Sequence, residues 1–433
     1  MAETEIKKGA IIPLFDGQGE IEIREITEDH SPIYEAARVS SGKDKEPFTP
    51  ERNRILVHDL VAKFDRMHTV PFEKANYKFR ITAPISIAIH LMSGIRFCSI
   101  SEISGRYRHF DDRFLLTERT KGLESLFGEV IELHQELKSA GVASELARIA
   151  LPLALMTEFY LDINSHALFK FLAEDELIKP DKYCQEVNKV LRTIVKSTIP
   201  WAYEGFEERL QTAKQDPNFL SQTRFASYHQ LNLSRFSFPR KPSGREVLDH
   251  GYVNMTYPTD AKRLMPPETI PMLASPMVIY GMIRPLMEYS FTFEVECPIF
   301  VFRQTERHRE GNLNFKGLTG KCYIPHRLRI PDPKNRQGSY IPEKPLEGEP
   351  RLLSQIETKT ARLLRESQKL SQEFPEEARL VAPLNAYVSH LHYFNGDGLV
   401  NFLNLRLPGS VQGETRQFAI AMSDLAYNGQ PLQ

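Results

Sequence analysis

The sequence predicts an α+β fold in which one module of antiparallel strands and long helices occurs twice. Three observations carry that expectation. First, YKFRITAPI (77–85) and FTFEVECPI (291–299) both alternate apolar and polar residues, end in Pro-Ile and run on into an apolar stretch. Each reads as a strand feeding a helix that opens at proline. Second, Pro71 and Pro84 match Pro285 and Pro298 at one offset of 214 positions, whereas ELARIALPLALM (145–156) matches EEARLVAPLNAY (376–387) at 231. The second offset also carries NSHALFKFL (164–172) onto NGDGLVNFL (395–403). Third, the 17-residue difference fits an insertion in the second copy around YIPHRLRIPDPKNRQGSYIP (323–342), rich in proline and turn residues.

The copies are expected over 1–215 and 246–433, joined by a linker over 216–245 where proline, glycine and charge accumulate. TPERNRILVHDLVAKFDRMH reads as a helix capped by Thr49, with Ile55, Leu56, Leu60 and Val61 at helical spacing. The stretches 123–139, 143–174, 182–212 and 350–373 read the same way. Strands are few and do not alternate with helices as βαβ units, which favours α+β over a doubly wound sheet.

The chain has 433 residues, with 55 Lys+Arg against 56 Asp+Glu, a balance that argues against a generic nucleic-acid coat or a polybasic membrane binder. With 41% hydrophobic residues it can bury a large core, yet no apolar run approaches the roughly 18 to 20 residues that span a bilayer. The N-terminal stretch lacks a signal-peptide pattern, so a cytoplasmic protein is expected. Cys98, Cys184, Cys297 and Cys322 show no metal-ligand spacing and read as buried reduced thiols. His90, His166, His390 and His392 are scattered through the chain, and no metal is expected.

Three segments carry polar groups in patterns that suit a nucleotide. ISEISGRYRHF places Glu102, Ser104, Gly105, Arg106 and Tyr107 together, a combination able to cradle an anion and equally able to form a polar turn. IFVFRQTERHRE sets Gln304 three residues from Arg307 and four from His308, on one side of a helix. Repulsion between Arg303 and Arg307 is relieved by a polyanion, or by a solvated helix end. NFLNLRLPGSVQGETRQF holds Asn401, Asn404, Arg406, Gln412, Glu414 and Arg416; amides read ring edges, and an arginine can stabilise an anion formed on a ring. No Walker loop, GxGxxG, HExxH or GxSxG is present.

At these residues the sequence resembles the flavin-dependent thymidylate synthase family. RQTERHR (303–309) resembles the first part of its signature and SEISGRY (101–107) the last, while AARVSSGKD (36–44), MHTVPFEK (67–74), NFLNLR and QGETRQF resemble its flanks. The resemblance spans roughly 35–210 and 250–425. It implies reductive methylation of dUMP to dTMP, with methylenetetrahydrofolate and NADPH as co-substrates and FAD as cofactor. It assigns substrate binding to Glu102, Ser104, Gly105, Arg106, Arg148, Gln304 and Arg307. It assigns flavin contacts to Glu73, Glu102, Arg307, His308, Arg309, Asn395 and Asn401, and ionisation of the base to Arg406.

The copies depart from the family in opposite ways. The first has lost Arg-His-Arg, and has His166, Lys170 and Asp175 at positions where the family carries flavin and base contacts. The second, at NLNFKGLTGKCY (312–323), has lost the glutamate and carries Thr319 and Lys321 for the serine and arginine. Because the family is a homotetramer with sites shared between subunits, two chains are expected to form a homodimeric pseudo-tetramer with two intact composite sites and two decayed ones. The alternatives are C5 alkylation of another pyrimidine nucleotide such as UMP, and a non-catalytic nucleotide- or RNA-binding protein using Lys321, Arg327, Arg329, Lys334 and Arg336. Neither a membrane nor nucleic acid is expected as the main partner.

Overall fold

The computed structural model describes residues 5–39, 42, 49–63, 69–95, 98–103, 113–178, 181–215, 244–258, 290–306, 311–335 and 338–426. The first copy runs β1 (Ile11–Leu14), β2 (Gly19–Ile26), α1 (Ser31–Val39), α2 (Pro50–Ala62), a 3₁₀ turn (Val70–Lys74), β3 (Asn76–Pro84), α3 (Ile85–Gly94) and β4 (Cys98–Glu102). It continues with α4 (Glu124–Ser139), α5 (Ser144–Ala147), β5 (Met156–Asn164), α6 (Ser165–Ile178), α7 (Lys182–Thr198) and α8 (Pro200–Gln215). The second copy runs β6 (Arg245–Val247), β7 (Gly251–Pro258), β8 (Ser290–Pro298), α9 (Ile299–Thr305) and β9 (Gly311–Cys322). A small hairpin follows, β10 (Ile330–Pro331) with β11 (Ser339–Tyr340), then α10 (Glu349–Leu370), α11 (Pro375–Val381), β12 (Ala386–Asn395), α12 (Gly396–Arg406) and α13 (Gly413–Ala426).

The two five-stranded sheets have the same topology, β1-β2-β3-β5-β4 and β6-β7-β8-β12-β9, and their named pairs are antiparallel. They agree residue by residue. Asn76 faces Asn164 and Pro84 faces Met156; at the two offsets read from the sequence, Ser290 faces Asn395 and Pro298 faces Tyr387. A register shift interrupts β2–β3 between Ile23 and Glu25, and another interrupts β7–β8 between Met255 and Tyr257, the same place in the module. Duplication is thus written in the hydrogen-bond ladders as well as in the sequence. The expected strand-into-helix at each Pro-Ile is found, with Pro84 and Pro298 as N-caps of α3 and α9.

Three expectations need correction. The stretch 143–174 is not one helix: α5 ends at Ala147, and Met156–Asn164 is a central strand. Its residues Phe159, Leu161 and Ile163 are buried at period two, and this alternation outweighs the helical propensity of the flanks. In α2, Thr49 does cap the helix by accepting from the Arg52 N–H, but Ile55 is exposed, and the buried stripe is Asn53, Val57 and Val61. Strands also exceed the number expected, because GEIEIREI (19–26) alternates buried Ile21 and Ile23 with glutamates.

The described residues cluster into two compact units that do not coincide with the copies. Unit 1 holds the first sheet with α1–α3 and α6–α8. Its core is Tyr77, Phe79, Ile81, Phe159 and Leu161 under the buried face of α7. Helices α2 and α8 approach closely at Gly205, where a Cβ would lie 2.5 Å from the His58 carbonyl oxygen. Unit 2 holds the second copy together with residues 116–155 of the first, so α4 and α5 pack with the second copy.

Inside unit 2 the two equivalent Pro-Leu segments pair about a pseudo-twofold axis. Pro152 bridges Pro383, its own counterpart. The Leu153 N–H donates to the Ala382 carbonyl and the Leu384 N–H to that of Leu151, both at 2.9 Å. The Ala154 N–H donates to Leu380 and the Asn385 N–H to Ile149, at 2.7 and 2.9 Å. In each pair the second bond is the first with the copies exchanged, the signature of an isologous contact.

Candidate active site

The site is built on three local devices in unit 2. The first is α9, whose Ile299, Phe300, Val301 and Phe302 are buried, leaving Gln304 near the C-terminal end of the helix. The Phe300 N–H donates to the Leu384 carbonyl at 3.0 Å, and the Leu384 N–H donates to Leu151. The helix start is therefore tied to the segment that follows Arg148 in the first copy. The second device is α12, capped at its N-terminus by Asn395, whose Oδ1 accepts from the Gly398 N–H at 2.7 Å. It ends at Arg406, whose Nη2 donates to the Gln304 backbone carbonyl at 2.8 Å. The third is the start of α13, where Gln412 and Glu414 are both 1% exposed. Gln412 Oε1 accepts from Gln304 Nε2 at 2.7 Å. Gln304, Arg406 and Gln412 therefore meet at one place, although 102 and 108 positions separate Gln304 from the other two.

A buried ionic cluster braces this place. Arg329 Nη2 donates to Glu414 at 2.5 Å and to Glu145 at 3.3 Å. The Tyr323 hydroxyl donates to Glu414 at 3.0 Å, and Ser339 donates to Glu145. Burial opposes the charge on Arg329, but the two carboxylates outweigh it, and the guanidinium is held more firmly protonated than usual. The Arg329 carbonyl also accepts from the Ala143 N–H at 2.8 Å. The inserted segment thus anchors α5, the helix capped at its C-terminus by Arg148, to the start of α13. Sequence reasoning placed Arg329 in a free basic strip, and the structure corrects this. Arg327 pairs with buried Glu349 at 2.8 Å, Lys321 lies 3.9 Å from Glu296, and Arg329 is committed to two carboxylates. Lys334 is exposed, and Arg336 lies outside the described residues.

The other expected residues fall as follows. Ser104, Gly105, Arg106, Arg307, His308 and Arg309 lie outside the described residues. Arg148 is the half-buried C-cap of α5 in unit 2. Glu102, in unit 1, ends β4 and accepts from the Thr157 hydroxyl at 2.9 Å. It faces Phe159 across the ladder; His390, the counterpart of Phe159, faces Phe315. Glu73 lies 3.5 Å from the His166 ring, and burial pulls the His166 pKa down. Asn164 caps α6 as Asn395 caps α12, accepting from the Ala167 N–H at 2.9 Å.

Of the four cysteines expected to be buried, Cys184 and Cys297 are, whereas Cys98 and Cys322 are only partly so; burial pushes the Cys322 thiol up to about 12 and Cys297 well above its usual value. His390 and His392 are fully buried in β12, where His390 meets Phe302 edge-on and His392 lies against Phe394. Among the described residues no group of three His, Cys, Asp or Glu side chains could hold a metal ion. No helix among them is long and apolar enough to cross a membrane.

Asn401 and Asn404 lie one turn apart on α12. The Asn404 Nδ2 is buried and has no hydrogen-bond partner among the described residues. A buried amide donor left open beside a second amide fits an acceptor-rich ligand such as an isoalloxazine or ribityl group.

A family model described as thymidylate synthase complementing protein matches residues 23–201 and 251–432, nearly the whole of both copies. The chain belongs to this family, a family of flavin-dependent methyltransferases. It is similar to the flavin-dependent thymidylate synthase of Kosmotoga olearia, with 31% identity over 217 residues covering 44% of this chain and 90% of that protein. It is likewise similar to that of Thermus thermophilus, with 31% identity over 241 residues covering 51% of this chain and 85% of the relative. Each relative thus spans about one copy. Among solved structures, the UMP/dUMP methylase PolB from Streptomyces cacaoi, bound with 5-Br dUMP, aligns at TM-score 0.40 and 23% identity, covering 44% of this chain and 94% of that one.

Proposed function

We propose that the protein carries out the reductive methylation of dUMP to dTMP at sites to which both copies contribute. Methylenetetrahydrofolate donates the carbon and NADPH the reducing equivalents. The observation that supports this best is the meeting of Gln304, Arg406 and Gln412 in the compact unit that also holds Arg148 of the first copy. Retention in the sequence is complementary. The first copy keeps Glu102, Ser104, Gly105, Arg106 and Arg148; the second keeps Gln304, Arg307 and Arg406. In this reading two chains form a homodimeric pseudo-tetramer.

Arg148 and Arg106, with Ser104 and the Gly105 N–H, hold the nucleotide phosphate by charge-assisted hydrogen bonds. Gln304 and Arg307 close the other side of the nucleotide. The bond from Arg406 Nη2 to the Gln304 carbonyl fixes the guanidinium beside that glutamine. From there Arg406 favours loss of the N3 proton and enriches the electron density at C5. A preorganised contact of this kind supplies about 3–4 kcal/mol in the transition state, a hundredfold or more in rate. Asn401 and Asn404 on α12, with Arg307, His308 and Arg309, would hold FAD, which when bound relays reducing equivalents from NADPH. Asn395 supports that set by capping the helix. No protein nucleophile is needed, in keeping with thiols that burial keeps protonated.

Anaerobic incubation with FAD, NADPH, methylenetetrahydrofolate and either dUMP or UMP, read by product mass, tests the reading. Conversion of dUMP to dTMP, abolished by Arg406→Ala, is expected. Methylation of UMP alone would replace the substrate assignment, and no methylated product from either nucleotide would refute the proposed activity.

A further inference from the structure

We propose that Gln412 is a positioning residue that fixes the Gln304 amide so that Gln304 offers the nucleotide a hydrogen-bond acceptor. The inference rests on the reading that Gln304 meets the nucleotide. A primary amide presents two donors on nitrogen and an acceptor on oxygen, and which of them faces a ligand decides what that ligand must offer. Gln304 Nε2 lies 2.7 Å from Gln412 Oε1 and 3.4 Å from the Phe300 carbonyl oxygen. The Phe300 carbonyl can only accept, which favours nitrogen as the Gln304 atom beside it, an arrangement that leaves Gln412 Nε2 buried without a partner among the described residues. With that nitrogen fixed, the Gln412 atom facing it must be an oxygen.

Gln412 is 1% exposed, so water cannot take over its role. Both amide hydrogens of Gln304 are thereby engaged within the protein. Its Oε1 has no hydrogen bond among the described residues, and its backbone carbonyl is held by Arg406. Main chain and side chain are both pinned, and the atom left over is an acceptor. The nucleotide group that meets it must be a donor, either the ring N3–H or a sugar hydroxyl. An amide free to rotate would serve donors and acceptors alike; one locked by Gln412 discriminates between them by leaving the wrong partner unsatisfied.

The test uses the full chain loaded with FAD and measures dissociation constants calorimetrically for dUMP, N3-methyl-dUMP and 2′,3′-dideoxyuridine monophosphate. Gln304→Ala should weaken dUMP binding roughly three- to tenfold, the range of one hydrogen bond. Gln412→Met fills the space without an acceptor and should weaken binding by a similar factor. Gln412→Glu keeps an oxygen acceptor in either protonation state and should restore affinity. The double variant Gln304→Ala/Gln412→Met should bind no more weakly than Gln304→Ala alone, because Gln412 acts through Gln304. The analogue whose binding no longer responds to Gln412→Met lacks the donor that Gln304 meets.

A purely structural role for Gln412 predicts instead that the losses multiply in the double variant, which would overturn the proposal. So would a Gln412→Met protein that binds like the wild type, or undiminished sensitivity to Gln412→Met with both analogues. If Gln304→Ala itself leaves dUMP affinity unchanged, the nucleotide-contact reading fails as well, and the two failures are thereby told apart.

Discussion

Replacing Arg329 by methionine tests whether the inserted segment braces the site. The guanidinium is 14% exposed, and its partners Glu145 and Glu414 are 5% and 1% exposed, so the perturbation leaves two buried carboxylates without their cation. Breaking a buried ion pair on one side costs about 3–5 kcal/mol. Here each carboxylate keeps at least one donor, Ser339 on Glu145 and Tyr323 on Glu414, which places the expectation near ~3 kcal/mol, the lower end. A chain of two compact units does not give a single unfolding free energy, so hydrogen exchange read by mass spectrometry is the suitable assay. Peptides from 143–155 and 413–426 should exchange about a hundredfold faster in Arg329→Met, at about 1.4 kcal/mol per tenfold. Adding Glu414→Gln, which removes one stranded charge, should recover part of the protection. Exchange within threefold of the wild type in both peptides would show that the cluster is not a brace.

Other expectations follow from the same geometry. Gly413→Ala would place a Cβ 2.8 Å from Arg329 Nη1, an atom already held by its group's two carboxylate bonds, and should cost about 1–3 kcal/mol by the same exchange measurement. His30 stacks on Trp201 at 4.1 Å, accepts the Trp201 N–H through Nε2, and has its pKa lowered by burial. Between that lowered value and the ordinary 6.5 the unfolded chain binds more protons, so stability of unit 1 is fully present above 6.5 and is lost as pH falls through the folded value. Unfolding followed by Trp201 fluorescence should show a midpoint that drops from pH 7 to pH 5, and His30→Gln should flatten the dependence. Cys322, with its thiol pushed up to about 12, should resist iodoacetamide at pH 8 in the native protein and react once it is unfolded.

The duplication was legible because both copies keep the Pro-Ile strand ends and the Pro-Leu segment, whose spacing survives in the ladder registers. The strand Met156–Asn164 was obscured, since Ala- and Leu-rich sequence on both sides reads as helix while burial at period two decides the outcome. Ile55 is exposed although it is apolar, because the buried stripe of α2 runs through Asn53, Val57 and Val61, on a different side of the helix. In the site, Gln304 and Arg406 could be named from motif resemblance, but their junction at Gln412 is a tertiary fact across 108 positions. Arg329 was misread because charge patterning counts cations without their distant partners, and Glu145 lies 184 positions away. The one local hint was a glycine between two buried polar residues at a helix start, Gln412-Gly413-Glu414.

The central claim is that each copy contributes what the other has lost, and the pseudo-twofold pair Arg148 and Arg379 tests it most directly. Both follow an Ala in the same motif, 231 positions apart, in segments that pair symmetrically. Each is changed to alanine in turn, and kcat/KM for dUMP methylation is measured on the full chain. The account predicts a loss of roughly ten- to a hundredfold for Arg148→Ala, the range of a hydrogen bond to a charged group, and little change for Arg379→Ala. Equal losses from the two substitutions, or a loss confined to Arg379→Ala, would contradict it.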